Sequence, residues 1–457
     1  MFYARENELK RIKERIKLDS FQSVLVYGRR RIGKTELIKE AIRIKNADCL
    51  MFLARNVNST INFNDFVLQA RDFIKDPFFN PKDYFDLFAK LFIYSKDHPF
   101  VLFIDEYSFL KEADSSIDSV FQKVIEYYKD DAKLTLILCG SYIDTMRQIV
   151  DIRSPLYGRF NEIICLRAFN YYDSSLFYSD LKPVERFMYY AVFGGTAYNI
   201  KNIDYSKSFE RNLIDMFVRL DSFFEKEAIS VIKGEVEKEG NVNVIFEAIC
   251  NGIDTYKKLN ELLGDRGKDN IGRYIRKLEE LDLIDKYYDV NSEGERKARY
   301  VIKDNLLCFY YTFLYKNIRL RSIMDENVFF EKVIKKPFYD QYLPKKFEEV
   351  TKEFLIKENG KKDFFFSRIG RLVYNNSSKK INREFDVTTY YDGMYIPFEC
   401  KFSKNRISIN VVNEEKSQWK DLPFKVSKFG FASLSGFEED VKKDDSLILI
   451  SLEDMYK

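Results

Sequence analysis

Five short apolar runs punctuate the first 170 residues, at 23–27, 49–53, 100–104, 134–139 and 163–166. Their hydrophobicity is continuous rather than alternating, as expected of strands buried on both faces of a parallel sheet. Helix-length segments separate them. The pattern therefore predicts an α/β fold, a P-loop-type parallel sheet with helices on both faces. The first run enters a glycine loop, and residues 36–44 continue without a helix breaker, giving strand, loop, helix.

Downstream the rhythm changes. Residues 205–240 read as helical and charged and end in a Glu-Lys-Glu-Gly turn at Gly240. From Val242 two helix-like stretches, a turn (265–269), a third helix from Asn270 and two strand-like runs around an Asn-Ser-Glu-Gly turn follow, the order of a winged helix-turn-helix. Residues 305–345 are aromatic, then basic with Pro337 and Pro344, and read as a packed connector. A helix over 345–358 and strands over 364–374, 383–391 and 395–403 predict a second α/β domain. The expected divisions are a core at 1–204, a helical lid or linker at 205–241, the winged module at 242–304, the connector at 305–345 and a C-terminal domain at 346–457.

With 457 residues, the chain exceeds what one hydrophobic core usually serves. A hydrophobic share of 46% and a charged share of 32% are globular, not disordered, proportions. Lys and Arg (75) nearly balance Asp and Glu (72), so net charge makes no case for nucleic acid. Six scattered cysteines with no Cys-x-x-Cys spacing support neither a disulfide framework nor a zinc knuckle, and the expected setting is reduced and cytoplasmic. No apolar run is long enough to span a bilayer, and the charged start does not read as a signal peptide. The single histidine, His98, leaves no second imidazole for a His-based metal site.

The chemistry centres on Gly28-Arg29-Arg30-Arg31-Ile32-Gly33-Lys34-Thr35, a full Walker A pattern in its strand-to-helix context. Its glycines let backbone N–H groups converge on phosphates, Lys34 reaches the terminal oxygens, and the Thr35 hydroxyl, followed by Glu36, is a Mg²⁺ ligand. The run at 100–104 delivers Asp105 and Glu106 to a strand end, Asp105 for Mg²⁺ and Glu106 to polarise the attacking water. Without a Walker A upstream, such a pair would read as a helix cap. Ser141 ends a third strand, where it could sense the terminal phosphate. Arg159 is either a surface arginine or a finger acting within its own subunit or on a neighbouring copy.

The pieces YARENELKRI, VYGRRRIGKTELI, FVLFIDEYSFL, LILCGSYIDTM and SPLYGRF, in that order, resemble the archaeal-type ATPase family of the AAA+/STAND group of P-loop proteins. The resemblance extends to a C-terminal domain similar to PD-(D/E)xK nucleases and implies ATP and Mg²⁺ as cofactors. Two departures stand out. Ala4 occupies a position where glycine is common, and Ala197 in Gly194-Gly195-Thr196-Ala197 replaces a proline.

In the winged module, Arg273, Arg276 and Lys277 could meet phosphates or bases, but Asp269, Glu279 and Glu280 offset them. A lid or protein-contact role is the alternative. In the C-terminal segment, Asp392-Gly393 is a preferred two-residue hairpin turn, so paired positions sum to 785 and Asp386 faces Glu399 while Glu384 faces Lys401. Asp386 and Glu399 would repel unless a cation sits between them. Alternation puts Glu399 and Lys401 on one face. Resemblance to the nuclease family implies that these carboxylates hold Mg²⁺, that Lys401 assists the attacking water, and that Glu348 is the acidic helix residue. An amphipathic hairpin with plain Glu/Lys pairing is the bland alternative, and Pro397 could introduce a bulge that shifts the register. The functional expectation is an ATP-hydrolysing protein whose nucleotide state controls a nuclease-like domain acting on DNA or RNA, with homo-oligomerisation open. The alternative is an ATP-gated switch with an inactive C-terminal scaffold.

Overall fold

The computed structural model describes residues 3–236, 241–263, 271–292, 298–361, 364–376 and 381–457. The expected turns at 237–240, 265–269 and 293–294, with Asn270, lie outside these residues. Contacts divide the chain into two compact units, Met1–Ala168 with Thr196–Tyr198, and Phe169–Gly195 with Asn199–Lys457.

The first unit is built on strands β1 (Gln22–Tyr27), β2 (Cys49–Leu53), β3 (Phe100–Asp105), β4 (Leu134–Gly140) and β5 (Glu162–Cys165). All pair in parallel in the order β2-β3-β4-β1-β5. The interior strands β1, β3 and β4 are buried almost throughout, as their unbroken apolar runs require, whereas edge strands β2 and β5 bury only alternate or isolated positions. Helix Lys34–Lys45 seals one face with Leu37, Ile38 and Ala41, all fully buried against Val24, Val26, Val101 and Ile137. The expected doubly wound sheet is present. Strand β4 lies between the loop-bearing strand and the acidic strand.

The second unit holds a helical body, a three-helix and hairpin module, and a mixed sheet. Helix Pro183–Phe193 packs on helices Asn305–Phe309 and Leu343–Glu358, so residues 169–195 join this unit rather than a core ending at 204. The aromatic stretch expected as a connector is helical with wide π turns at Tyr310–Leu314, Phe330–Ile334 and Phe338–Tyr342. The last of these follows Pro337, which has no N–H to give to a regular turn. Phe309, Phe313, Phe338 and Tyr342 interlock there as an aromatic core.

Helices Val242–Cys250, Tyr256–Leu263 and Ile271–Glu280 precede an antiparallel hairpin, β6 (Ile284–Tyr287) and β7 (Arg299–Ile302). The mixed sheet runs β13-β12-β10-β9-β8, with β8 (Arg368–Asn376), β9 (Ile381–Tyr391), β10 (Met394–Lys401), β12 (Phe429–Ser433) and β13 (Leu447–Ser451), while β11 (Lys425–Val426) pairs with β10. β8, β9 and β10 are antiparallel; β10, β12 and β13 are parallel. The edge of β8 does not stand open. At its bulge between Gly370 and Leu372, the Val290 N–H donates to the Arg371 carbonyl at 2.7 Å, and the Asn291 side chain donates to the Val373 carbonyl at 3.0 Å. Residues 288–290, read as the end of the module's first strand, and Asn291, read as the start of its turn, instead cover this edge, and Val290 is buried beside Leu372, Phe385 and Trp419.

One buried ion pair fastens the helical body. Arg321 and Glu225 are 3% and 7% exposed and hydrogen-bond each other. Arg321→Met leaves Glu225 buried without its partner and is expected to destabilise by about 3–5 kcal/mol, whereas Met at both positions recovers most of that loss. Urea unfolding of the single and double variants checks this.

Candidate functional site

The glycine loop turns sharply between β1 and its helix because three of its residues take left-handed or otherwise glycine-favouring backbone angles: Gly28 (φ 152°), Arg31 (φ 68°) and Gly33 (φ 97°). At Gly28 a side chain has no room, since a Cβ there would lie 2.2 Å from the Leu166 carbonyl oxygen. Ile32 is buried and roots the loop in the core. Glu36 stands in the first turn of the helix.

The side chains converge as anticipated. The Lys34 ammonium, 5% exposed, donates to the Gly28 carbonyl (2.9 Å), the Arg29 carbonyl (2.9 Å) and Ser141 Oγ (3.0 Å). Thr35 Oγ1 donates to Asp105 Oδ2 at 2.8 Å. Ser141 in turn grips Glu106, with Oγ donating to Oε1 at 2.6 Å and the backbone N–H to Oε2 at 3.2 Å. Glu106 sits at a helix N-cap position in left-handed backbone (φ 51°), yet its side chain makes no cap bond, so the plain helix-cap reading does not describe it. The hydrogen-bonded Thr35 and Asp105 oxygens form a hard donor pair suited to Mg²⁺.

Two tyrosines not anticipated from the sequence flank the loop. Arg30 donates to Tyr142 OH at 2.7 Å, and the Arg31 guanidinium lies 4.4 Å from the centre of the Tyr198 ring, whose backbone N–H donates to the Arg31 carbonyl. Ala197 stands at this loop, 3.8 Å from where a Gly33 Cβ would be. Ala4 and Arg5 both adopt left-handed angles (φ 56° and 71°), which explains a preference for glycine at position 4. Arg159 is elsewhere. Ser23, near the start of β1, donates to its carbonyl, and its guanidinium pairs with Glu126. The phosphate loop leaves the other end of β1.

The second cluster lies on the C-terminal sheet. Asp392 and Gly393 both have positive φ (45° and 79°), as a tight two-residue hairpin demands, and the pairing runs from Met394↔Tyr391 to Phe398↔Val387, the register in which positions sum to 785. Pro397 pairs with Thr388 without a bulge. Asp386 and Glu399 fall one position past this paired stretch, and the Asp386 carboxylate accepts the Cys400 N–H. Glu384 bonds Arg371 of β8 rather than Lys401. Lys401 instead donates to Glu399 Oε1 (2.7 Å) and to Glu415 Oε1 (3.0 Å) from the following helix Ile409–Gln418, while Gln418 holds the other Glu415 oxygen at 2.7 Å.

Burial and then the charge of Asp386 push Glu348 up to about 8 and Glu399 up to about 7; burial also raises Asp386. Burial would lower Lys401, but its bonds to Glu399 and Glu415 hold it above the ordinary lysine value. The carboxylates are hard oxygen donors, and the Lys401 ammonium is the positive charge placed on Glu399 and Glu415. Among the described residues, no three His, Cys, Asp or Glu side chains are gathered closely enough to hold a metal ion.

The comparisons fit this geometry. Residues 2–203 match a family described as an ATPase domain predominantly from Archaea. That span holds the glycine loop, the acidic pair and Ser141, and it includes residues 169–195 of the second unit. Residues 310–419 match archaeal and bacterial proteins of unknown function. Over 468 aligned residues the chain is 27% identical to an uncharacterised protein of Methanocaldococcus jannaschii, covering 99% of this chain and 100% of the other. A Walker-type ATPase of Pyrococcus abyssi is similar at 16% identity and a TM-score of 0.49, with 68% of this chain and 96% of that one covered. The ORC2 protein of Aeropyrum pernix is similar at 12% identity and a TM-score of 0.41, covering 68% and 92%. The described part of the chain contains no helix long and apolar enough to cross a membrane.

Two outcomes test the sites. Gly28→Ala forces a Cβ against the Leu166 carbonyl and is expected to cost about 1–3 kcal/mol and to weaken binding of a fluorescent ATP analogue at least about tenfold. Glu353, on the helix that carries Glu348, is pushed up to about 7 by burial, against opposing hydrogen bonds from the Tyr171 N–H and the Tyr190 hydroxyl. A carboxyl raised in the folded state favours the fold fully below about pH 4.5, and that contribution is lost as pH rises to about 7. Glu353→Gln should therefore show a smaller loss of melting temperature between about pH 5 and pH 7.5 than wild type, measured by calorimetry.

Proposed function

We propose that the ATPase unit hydrolyses ATP with Mg²⁺ and that its nucleotide state controls a nuclease-like C-terminal site directed at DNA or RNA. The observation that carries the first part is the single hydrogen-bonded chain from Lys34 through Ser141 to Glu106, flanked by the Thr35–Asp105 pair. Bound Mg²⁺ would be held by Thr35 and Asp105 and would neutralise phosphate charge. Lys34 must exchange its loop carbonyls for phosphate oxygens, and this draws it from Ser141. Glu106 can take a proton from water only after leaving the Ser141 hydroxyl. Ser141 therefore links occupancy of the loop to release of the base.

The second part rests on Asp386 facing Glu399 with the Lys401 ammonium on the latter, beside Glu348. A divalent cation at Asp386 and Glu399 would polarise a phosphodiester. Lys401 would orient the attacking water. The helix, helix, helix, hairpin order at 242–302 supports the winged-module reading, and Arg159 is then free to serve a neighbouring copy in a homo-oligomer. A second reading, a switch whose C-terminal domain is a scaffold, is favoured by the seating of residues 288–291 on β8 and by Lys401 already occupying the acidic pair's charge.

Turnover of ATP and cleavage of single- and double-stranded DNA and RNA, assayed together, separate these readings. Glu106→Gln is expected to keep ATP binding and lose turnover by about 10²–10⁴-fold. Asp386→Ala and Lys401→Ala should keep ATPase activity and abolish metal-dependent cleavage. ATP turnover without cleavage in wild type would leave the scaffold reading standing.

A further inference from the structure

Outside both candidate sites the second unit contains a pair of cysteines that no step above uses. Cys250 ends helix Val242–Cys250 and Cys308 lies in helix Asn305–Phe309, 58 residues further on. Cys250 Sγ lies 3.8 Å from the Cys308 carbonyl oxygen, which brings its thiol beside the Cys308 side chain. Both residues are partly accessible, while their sulfurs lie in an enclosed setting. The Lys346 ammonium, 3% exposed, stands in the same enclosure. It is anchored by the Asn305 side chain at 2.9 Å and by Glu349 at 2.7 Å, and its charge acts on Cys308.

The arrangement has the parts of a reactive dithiol. An S–H donor and a buried ammonium both favour a thiolate at Cys308, which is drawn down to about 6 against the opposing effect of burial. Its neighbour is the proton donor and the resolving thiol. The four remaining cysteines differ: Cys49 and Cys139 are pushed up by desolvation, Cys400 is raised by burial and by Asp386, and Cys165 is exposed at the end of β5.

We propose that Cys250 and Cys308 form a reversible intramolecular disulfide on exposure to a peroxide, making this pair a redox-modification site. The Cys308 thiolate attacks one peroxide oxygen. The O–O bond breaks, and with one proton taken up a sulfenic acid and water are formed. The Cys250 sulfur then attacks the Cys308 sulfur, the S–O bond breaks, and the hydroxide leaves as a second water with the Cys250 proton. Two electrons pass from the sulfurs to the peroxide. The bond ties the first helix of the three-helix module to the helix that follows its hairpin, and a dithiol reductant reverses it.

The full chain in a Cys165→Ser background, free of the exposed thiol, is treated with hydrogen peroxide and digested without reduction. The expected product is a peptide pair joined through Cys250 and Cys308, with two thiols lost and both regained in dithiothreitol. In unoxidised wild-type chain at neutral pH, iodoacetamide should modify Cys308 at least about tenfold faster than Cys400. Cys250→Ser should abolish the linked peptide and leave Cys308 as a sulfenic acid that dimedone traps. Peroxide treatment that leaves both as thiols, links them only to other cysteines, or finds Cys308 no faster than Cys400 overturns the proposal; the peptide and rate measurements need no variant at either position.

Discussion

Lys34 carries a buried positive charge whose three hydrogen-bond partners are neutral oxygens. A desolvated ammonium held only by dipoles is incompletely compensated, and the geometry around it follows from that constraint. Two of its acceptors are carbonyls of the loop itself, so the loop is held curled by the group that will later bind phosphate. The third acceptor, Ser141, is supplied by β4, and it reaches the lysine because β4 is the direct parallel neighbour of β1. A phosphate anion replaces weak dipoles with full charge, so occupancy of the loop is favoured by the charge it completes.

The ATPase core was legible because its signals are local. Unbroken apolar runs marked the interior strands to within a residue or so, and they put Lys34 and Thr35 after one strand and Asp105 and Glu106 at the end of another. Strand order was not legible: nothing in the runs says that β4 inserts between β1 and β3. Arg159 shows the same limit. Its place beside the start of β1 depends on which end of a strand the preceding segment meets, a question of direction that spacing alone does not answer.

The C-terminal hairpin shows how far pair arithmetic extends. Asp392-Gly393 set the register, and Pro397 sits within it opposite Thr388. What the arithmetic missed came from outside the two strands. Arg371 of β8 bonds Glu384, and the later helix offered Glu415 to Lys401. Residues 288–291 were equally invisible, since a strand-like run carries no mark saying which sheet edge it will cover.

The membership of residues 169–195 in the second unit bears on how the protein can be dissected. Helix Pro183–Phe193 presents Phe187, Tyr189, Val192 and Phe193 inward, each 2% exposed or less. The helices that cover this face, Asn305–Phe309 and Leu343–Glu358, come more than a hundred residues later. A fragment cut at residue 204, where the sequence motifs of the ATPase end, would carry that apolar face into water. The chain's natural seam is at Ala168, and even there Thr196–Tyr198 returns to complete the phosphate loop, so the ATPase unit is not a contiguous stretch that can be lifted out and kept whole.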